Sequence, residues 1–151
     1  MISAGGKNQV VKLFYQFADI LKLPMFVLLD NDAQENFSEI QPKLRPFDEV
    51  HILESGEFED ILPLSLIKRT LNKSFRNYSS VTLDDLRKDM PMTKILAETF
   101  KQRGMEFKKA EFAALVSENI QTQKDVSPEI EEIIKKVSIC SYTSSGKYIK
   151  A

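Results

Sequence analysis

Leu23-Pro-Met-Phe-Val-Leu-Leu-Asp30-Asn-Asp32 is an apolar run that stops abruptly at two carboxylates. Residues 25–30 are too few for a stable helix and are bounded by Pro24 and Asn31-Asp32, so they predict a central strand of a parallel sheet. Open α/β sheets place ligands at the carboxyl ends of their strands, and side chains at i and i+2 of an extended segment point the same way. Asp30 and Asp32 are therefore expected to face one spot. Two such carboxylates repel unless a cation sits between them, and hard oxygen ligands suit Mg²⁺ or Mn²⁺.

Outward from that strand the chain alternates helix and strand. Ile2 to Ala4 reads as the tail of a short strand and Gly5-Gly6 as a tight turn. A helix from Lys7 to about Lys22 follows, with Val10, Val11, Phe14, Phe17, Ala18 and Leu21 on one face. The Gly-Gly-Lys7 turn could offer N–H groups and an ammonium to phosphate. It lacks the other glycines of a phosphate-binding loop, so a plain turn is the favoured reading. Residues 33–41 predict a short amphipathic helix ended by Pro42, and Glu49 to Leu53 the next strand. His51, the single histidine, is expected to be a partly covered strand residue rather than a zinc ligand.

Ser55-Gly-Glu57-Phe-Glu59-Asp60-Ile-Leu-Pro63 follows that second strand directly. Its carboxylates suit a solvated helix start. The competing expectation is that they lie beside Asp30 and Asp32, since both segments come just past the carboxyl ends of neighbouring parallel strands. Further helices are expected over 64–71, from a Thr82 cap to Lys88, and from Pro91 to about Arg103 before Gly104. Two more are expected over 107–120 and from Ser127-Pro128 onward, separated by loops that include 72–80. Phe112, Leu115, Val116 and Ile120 would form the apolar face of the fourth of these, and Ile130, Ile133, Ile134 and Val137 that of the last. Lys108 and Lys109 sit where a helix dipole disfavours cations, a mismatch that points to an anionic partner, with two solvated lysines as the plainer alternative.

The chain has 151 residues, 42% hydrophobic and 28% charged, at net charge −1, which is the size of one globular domain with no basic field for nucleic acid. Any polyanion must be held by a local cluster or by metal. A single cysteine, no leader pattern and no 18-residue apolar span give the expectation of a cytoplasmic, reducing context without membrane.

Three pieces in this order resemble the Toprim domain of OLD-family (overcoming lysogenisation defect) ATP-dependent endonucleases: Ser3-Ala-Gly-Gly-Lys7, Phe26-Val-Leu-Leu-Asp30-Asn-Asp32 and Gly56-Glu-Phe-Glu-Asp60-Ile-Leu-Pro63. Phe107-Lys-Lys109-Ala-Glu-Phe-Ala113 and Ser127-Pro-Glu-Ile-Glu-Glu-Ile-Ile134 look like that family's terminal helices. The resemblance implies a Toprim-like (Rossmann-like) α/β fold over 1–140, mostly parallel sheet with a helical C-terminal part, and a mobile tail over 141–151. It implies a metal-dependent endonuclease that nicks DNA. That nuclease is coupled to an ABC-type ATPase, in the same polypeptide or as a separate subunit, and a homodimer is among the assemblies allowed. Asp30, Asp32, Glu57, Glu59 and Asp60 would be the metal ligands. Asp30, Asp32, Glu59 and Lys109 would carry the catalysis, with two ions ~3.5–4 Å apart activating water and Lys109 offsetting charge on the phosphorus oxygens. No Walker A sequence occurs, so no nucleotide is expected on this chain.

The family's first motif, a strand ending in Glu-Gly, would lie before Met1, so the domain is expected to be partial at its N-terminus. The rival expectation is accordingly a catalytically inactive, truncated interaction or regulatory module. A receiver domain of the response-regulator kind is disfavoured, because His51-Ile-Leu53-Glu54 lacks the aspartate that phosphorylation there needs.

Overall fold

The β-branched and leucine-rich run after Pro24 does form a strand, β1, at Phe26–Leu29, and it pairs in parallel with β2 at Glu49–Ile52. The register sets Val27 against Val50 and Leu29 against Ile52, with Phe26–Glu49 and Leu28–His51 as the alternate pairs. Alternation then decides which face is covered, and Val27 and Leu29 are buried while Leu28 is exposed. The computed structural model describes residues 6–87 and 89–146, the side chains of 140–146 excepted. Among the described residues these two strands and seven α-helices make a mixed α/β chain that is mostly helical.

The chain divides into two compact units, Met1–Gly56 with Glu131–Ala151, and Glu57–Ile130. The first contains α1 (Lys7–Ala18), β1, α2 (Gln34–Ile40) and β2. Its core is Val11 and Phe14 of α1, Val27 and Leu29 of β1, Ala33, and Ile40 of α2. α1 stops at Ala18, earlier than its apolar spacing suggests. The guanidinium of Arg45 collects the carbonyls of Ala18, Leu21 and Leu23 beyond the helix end, which holds residues 19–23 in an irregular connection. Arg45 is itself fixed by a bidentate pair with Asp48, Nε to Oδ2 and Nη2 to Oδ1 at 2.8 Å each. Asp48, whose side chain is 0% exposed, also accepts the backbone N–H of Met25 at 2.9 Å, so one carboxylate ties the entry of β1 to the entry of β2. Burial alone would push the Asp48 carboxyl up; the Arg45 guanidinium and two backbone N–H donors outweigh it and hold it below the ordinary value.

The second unit is helical: α3 (Leu64–Ser74), α4 (Leu83–Leu86), α5 (Met92–Lys101) and α6 (Lys109–Asn119). Leu66, Ile67 and Leu71 of α3, Leu86 of α4, Ile95 and Leu96 of α5, and Phe112 and Val116 of α6 belong to one apolar core. Phe75, Phe100, Phe107 and Phe112 add edge-to-face contacts, with the Phe75–Phe100 centroids 4.9 Å apart. α3 runs to Ser74, three residues past the expected end and into the stretch expected to be loop, where the Asn72 amide clasps both the N–H and the carbonyl of Val81. Gly104, at φ +71°, ends the α5 segment as its sequence suggests.

The last helix, α7 (Pro128–Gly146), opens on Ser127, whose Oγ accepts from Ile130 N at 3.4 Å. It continues into the stretch expected as tail. Ile134 and Val137 are exposed rather than packed, as is Ile120 after α6. The expected N-terminal strand at 2–4, the end of the Thr82 helix at Lys88, and residues 147–151 lie outside the described residues. No helix among the described residues is long and apolar enough to cross a membrane.

Candidate functional site

The two acidic segments fall in different units, Asp30 and Asp32 in the first, Glu57, Glu59, Asp60 and Lys109 in the second. β1 ends at Leu29, so Asp30 to Asp32 is a turn and not the strand end from which a shared direction was inferred; Ala33 N donates to Asp30 O at 3.1 Å across it. What pins this turn is the residue between the two acids. Asn31 donates its backbone N–H to Gly56 O, and its side-chain amide to the carbonyls of Leu53 and Glu54 at 3.0 and 2.8 Å. Gly56, at φ +59°, lies in the left-handed region that glycine enters at least cost. The carboxyl end of β1 is thereby stitched to the carboxyl end of β2, and Asp30 and Asp32 remain exposed.

Asp32 has a cation. Lys7, the first residue of α1, places Nζ 2.8 Å from Asp32 Oδ2 and 3.3 Å from Asp32 O, with the two side chains 43% and 74% exposed. The hydrogen bond to Asp32 raises the Lys7 ammonium above the ordinary lysine value, and the charges of Asp32, Glu35 and Asp30 push the same way. The field at Lys7 is therefore set by three carboxylates. Sequence reasoning weighed Lys7 only as part of a turn and passed over Glu35 in the first turn of α2; the pairing spans 25 residues, which no local pattern reports.

In the second unit Glu57 begins a 3₁₀ turn over Phe58–Ile61. Asp60 closes it, accepting the Glu57 N–H at 2.8 Å on Oδ2, while its Oδ1 accepts the Met92 N–H at 2.7 Å at the start of α5. Both Asp60 oxygens thus satisfy backbone donors that a helix start leaves open. Glu59 is buried, its side chain 10% exposed. The ammonium of Lys109 pairs with Glu57 Oε2 and stands 3.9 Å from Glu59 Oε2, while Lys108 pairs with Glu111 at 3.0 Å. Each of the two lysines is thus paired with a carboxylate of this chain.

Glu57, Glu59 and Lys109 are brought together, as are Asp30, Asp32 and Lys7. Their oxygens are the hard donors a divalent ion takes. Among the described residues, no three histidine, cysteine or carboxylate side chains are grouped closely enough to hold an ion as they stand. His51 is buried in β2 with Nδ1 3.3 Å from Nζ of Lys136, which also pairs with Glu132 at 2.8 Å and Glu49 at 3.7 Å. Compared with protein-family models, curated proteins and solved structures, the chain matches none.

Proposed function

We propose that this chain is a Toprim-like, metal-dependent phosphodiesterase domain that nicks DNA, of the OLD-family kind, working with an ABC-type ATPase. The reading rests most on the Asp30-Asn-Asp32 turn. It keeps two carboxylates exposed directly past a parallel strand, and the intervening Asn31 is spent on anchoring the turn. Asp30 and Asp32 would hold Mg²⁺ or Mn²⁺; Glu57 and Glu59, in the second unit, are the further carboxylates that the resemblance implies. Such an ion, when bound, supplies an activated water and a counter-charge for the phosphodiester. Lys109 would supply an ammonium to the phosphorus oxygens as their charge builds. Asp60, both of whose oxygens already accept backbone N–H groups, is the least available of the ligands proposed from the sequence.

The internal pairing of Lys109 with Glu57 and Glu59 is what favours the rival reading, an interaction module with no chemistry. A neutralised acid–lysine cluster is also what a merely structural element would keep.

Incubating the chain with supercoiled plasmid and Mg²⁺ or Mn²⁺ separates the two. The nuclease reading expects metal-dependent nicking that is abolished in both Asp30→Ala and Asp32→Ala and falls by about 10²–10³ in Lys109→Gln. Metal-dependent nicking that survives Asp30→Ala excludes the assigned ligands. A wild-type chain that leaves the plasmid intact puts the module reading ahead.

A further inference from the structure

Between Asp60 and Asp84 the chain has no carboxylate side chain, and Lys68, Arg69, Lys73 and Arg76 all fall inside that gap. A chain of net charge −1 therefore carries one strongly basic segment, and the fold presents the far end of it as a closed loop. Asn72, in the last turns of α3, bonds both the N–H and the carbonyl of Val81, at 2.7 and 3.0 Å, which draws the two ends of 73–80 together. Phe75 and Val81 are buried and root the loop in the helical core. Arg103, after α5, lies 4.7 Å over the Phe75 ring and donates to Ser79 O at 3.1 Å.

Lys73, Arg76, Asn77 and Tyr78 are what the anchored loop exposes. Tyr78 is 49% exposed, yet its ring stands edge-to-face on Phe75 with centroids 6.1 Å apart, and its N–H donates to Phe75 O at 2.9 Å. It is a positioned aromatic rather than a loose one. Arg69 is spent on Asp125, and of the acids that follow the gap, Asp85 caps its own helix and Asp84 faces Arg87. Lys73 and Arg76 make no ion pair among the described residues.

We propose that loop 73–80 is a contact surface for single-stranded nucleic acid, with Lys73 and Arg76 on the phosphates and Tyr78 as the platform for an unstacked base. Ammonium and guanidinium neutralise the backbone whatever the sequence, and an aromatic ring suits every base because each has a π-face. Duplex DNA keeps its bases stacked on one another and offers Tyr78 nothing, which decides for a single strand. An acidic polypeptide would use the cations and leave the ring idle. The loop lies wholly in the second unit and holds its partner without metal, so the inference does not depend on whether Asp30 and Asp32 hold an ion.

Fluorescence anisotropy of a short labelled oligothymidylate, titrated with the full chain in EDTA, tests this without any turnover. Wild type is expected to bind it more tightly than a duplex of the same length, with affinity falling as salt is raised. Tyr78→Ala is expected to weaken binding roughly fivefold to 150-fold, the loss of one base stack, whereas Tyr78→Phe keeps the ring and stays near wild type. Lys73→Gln and Arg76→Gln should each lower the slope of log affinity against log salt by about 0.7, one phosphate contact apiece. The three side chains are exposed, so an unchanged melting temperature certifies the variants as folded. No binding by wild type overturns the inference. So does a Tyr78→Ala chain that binds as well as wild type, or polyglutamate that competes as well as oligothymidylate at equal charge, since either result leaves only undirected positive charge. Binding by a chain that does not nick plasmid keeps this inference and counts against the nuclease reading alone.

Discussion

The two units of this chain reach order by different physics. In the second, a set of leucines, isoleucines and phenylalanines closes on itself, and the helices need only present their apolar faces. The first has, among its described residues, a two-stranded sheet, and a pair of strands is marginal in water unless something else fixes it. What fixes it is directional: Arg45 and Asp48 lock the strand entries, and Asn31 locks the exits. An apolar core tolerates approximate shapes. A polar clasp does not, because a buried carboxylate that loses its partner pays the full desolvation cost.

That contrast can be broken by substitution in each unit. The largest effect is expected from Leu66→Ala, at a fully buried position of α3, which should cost about 2–5 kcal/mol through lost burial and the cavity left behind. Hydrogen exchange should report faster opening in α3, α5 and α6. Asp48→Ala comes next, at about 2–3 kcal/mol, since it strands the Arg45 guanidinium and the Met25 N–H together. Its exchange signature should fall on β1 and β2. If Leu66→Ala and Asp48→Ala accelerate the same amides equally, the units open as one body and the contrast is false.

The smallest effect sharpens the comparison, because the second unit has a polar clasp of its own. Asp125 accepts from Arg69 at 2.7 Å and from the N–H groups of Gln121 and Thr122 at 3.0 Å each. The Arg69 guanidinium, with these donors, lowers the Asp125 carboxyl from the ordinary 3.8 to about 2. A group depressed in the folded state contributes stability that is fully present above its unfolded value and is lost as pH falls through its folded value. Asp125→Asn should therefore lower the melting temperature by about 2–6 °C at neutral pH. The difference from wild type should shrink between about pH 4 and pH 2. A gap that persists unchanged at pH 2 would show that the carboxylate's charge is not what matters there.

How much of this could be read from the sequence follows from distance along the chain. The strands at Phe26–Leu29 and Glu49–Ile52, the Thr82 and Ser127-Pro128 helix starts and the Gly104 stop are all announced by residues within a few positions. The clasps are not. Arg69 meets Asp125, Lys109 meets Glu57 and Lys7 meets Asp32 across long stretches of chain, and each of these residues looks, in its own neighbourhood, like an ordinary surface charge. Even the acidic turn was located for the wrong geometric reason. Asp30 and Asp32 were placed by strand alternation, whereas the strand has already ended and Asn31 sets the turn. Lys7 and Lys109 share one position, the first residue of a helix, and each meets its acid far along the chain.

Arg45 constrains how this chain can drift. Its planar fork serves the two oxygens of Asp48 and the carbonyls of Ala18, Leu21 and Leu23, and its face lies 4.6 Å over the Phe47 ring. Lysine, the exchange most often neutral at an ordinary surface arginine, would keep the charge yet bring three donors from one point to acceptors spread around a plane. A lineage that tried that step would loosen a helix exit and two strand entries at once, so the usual halfway variant between arginine and an uncharged residue is closed to it.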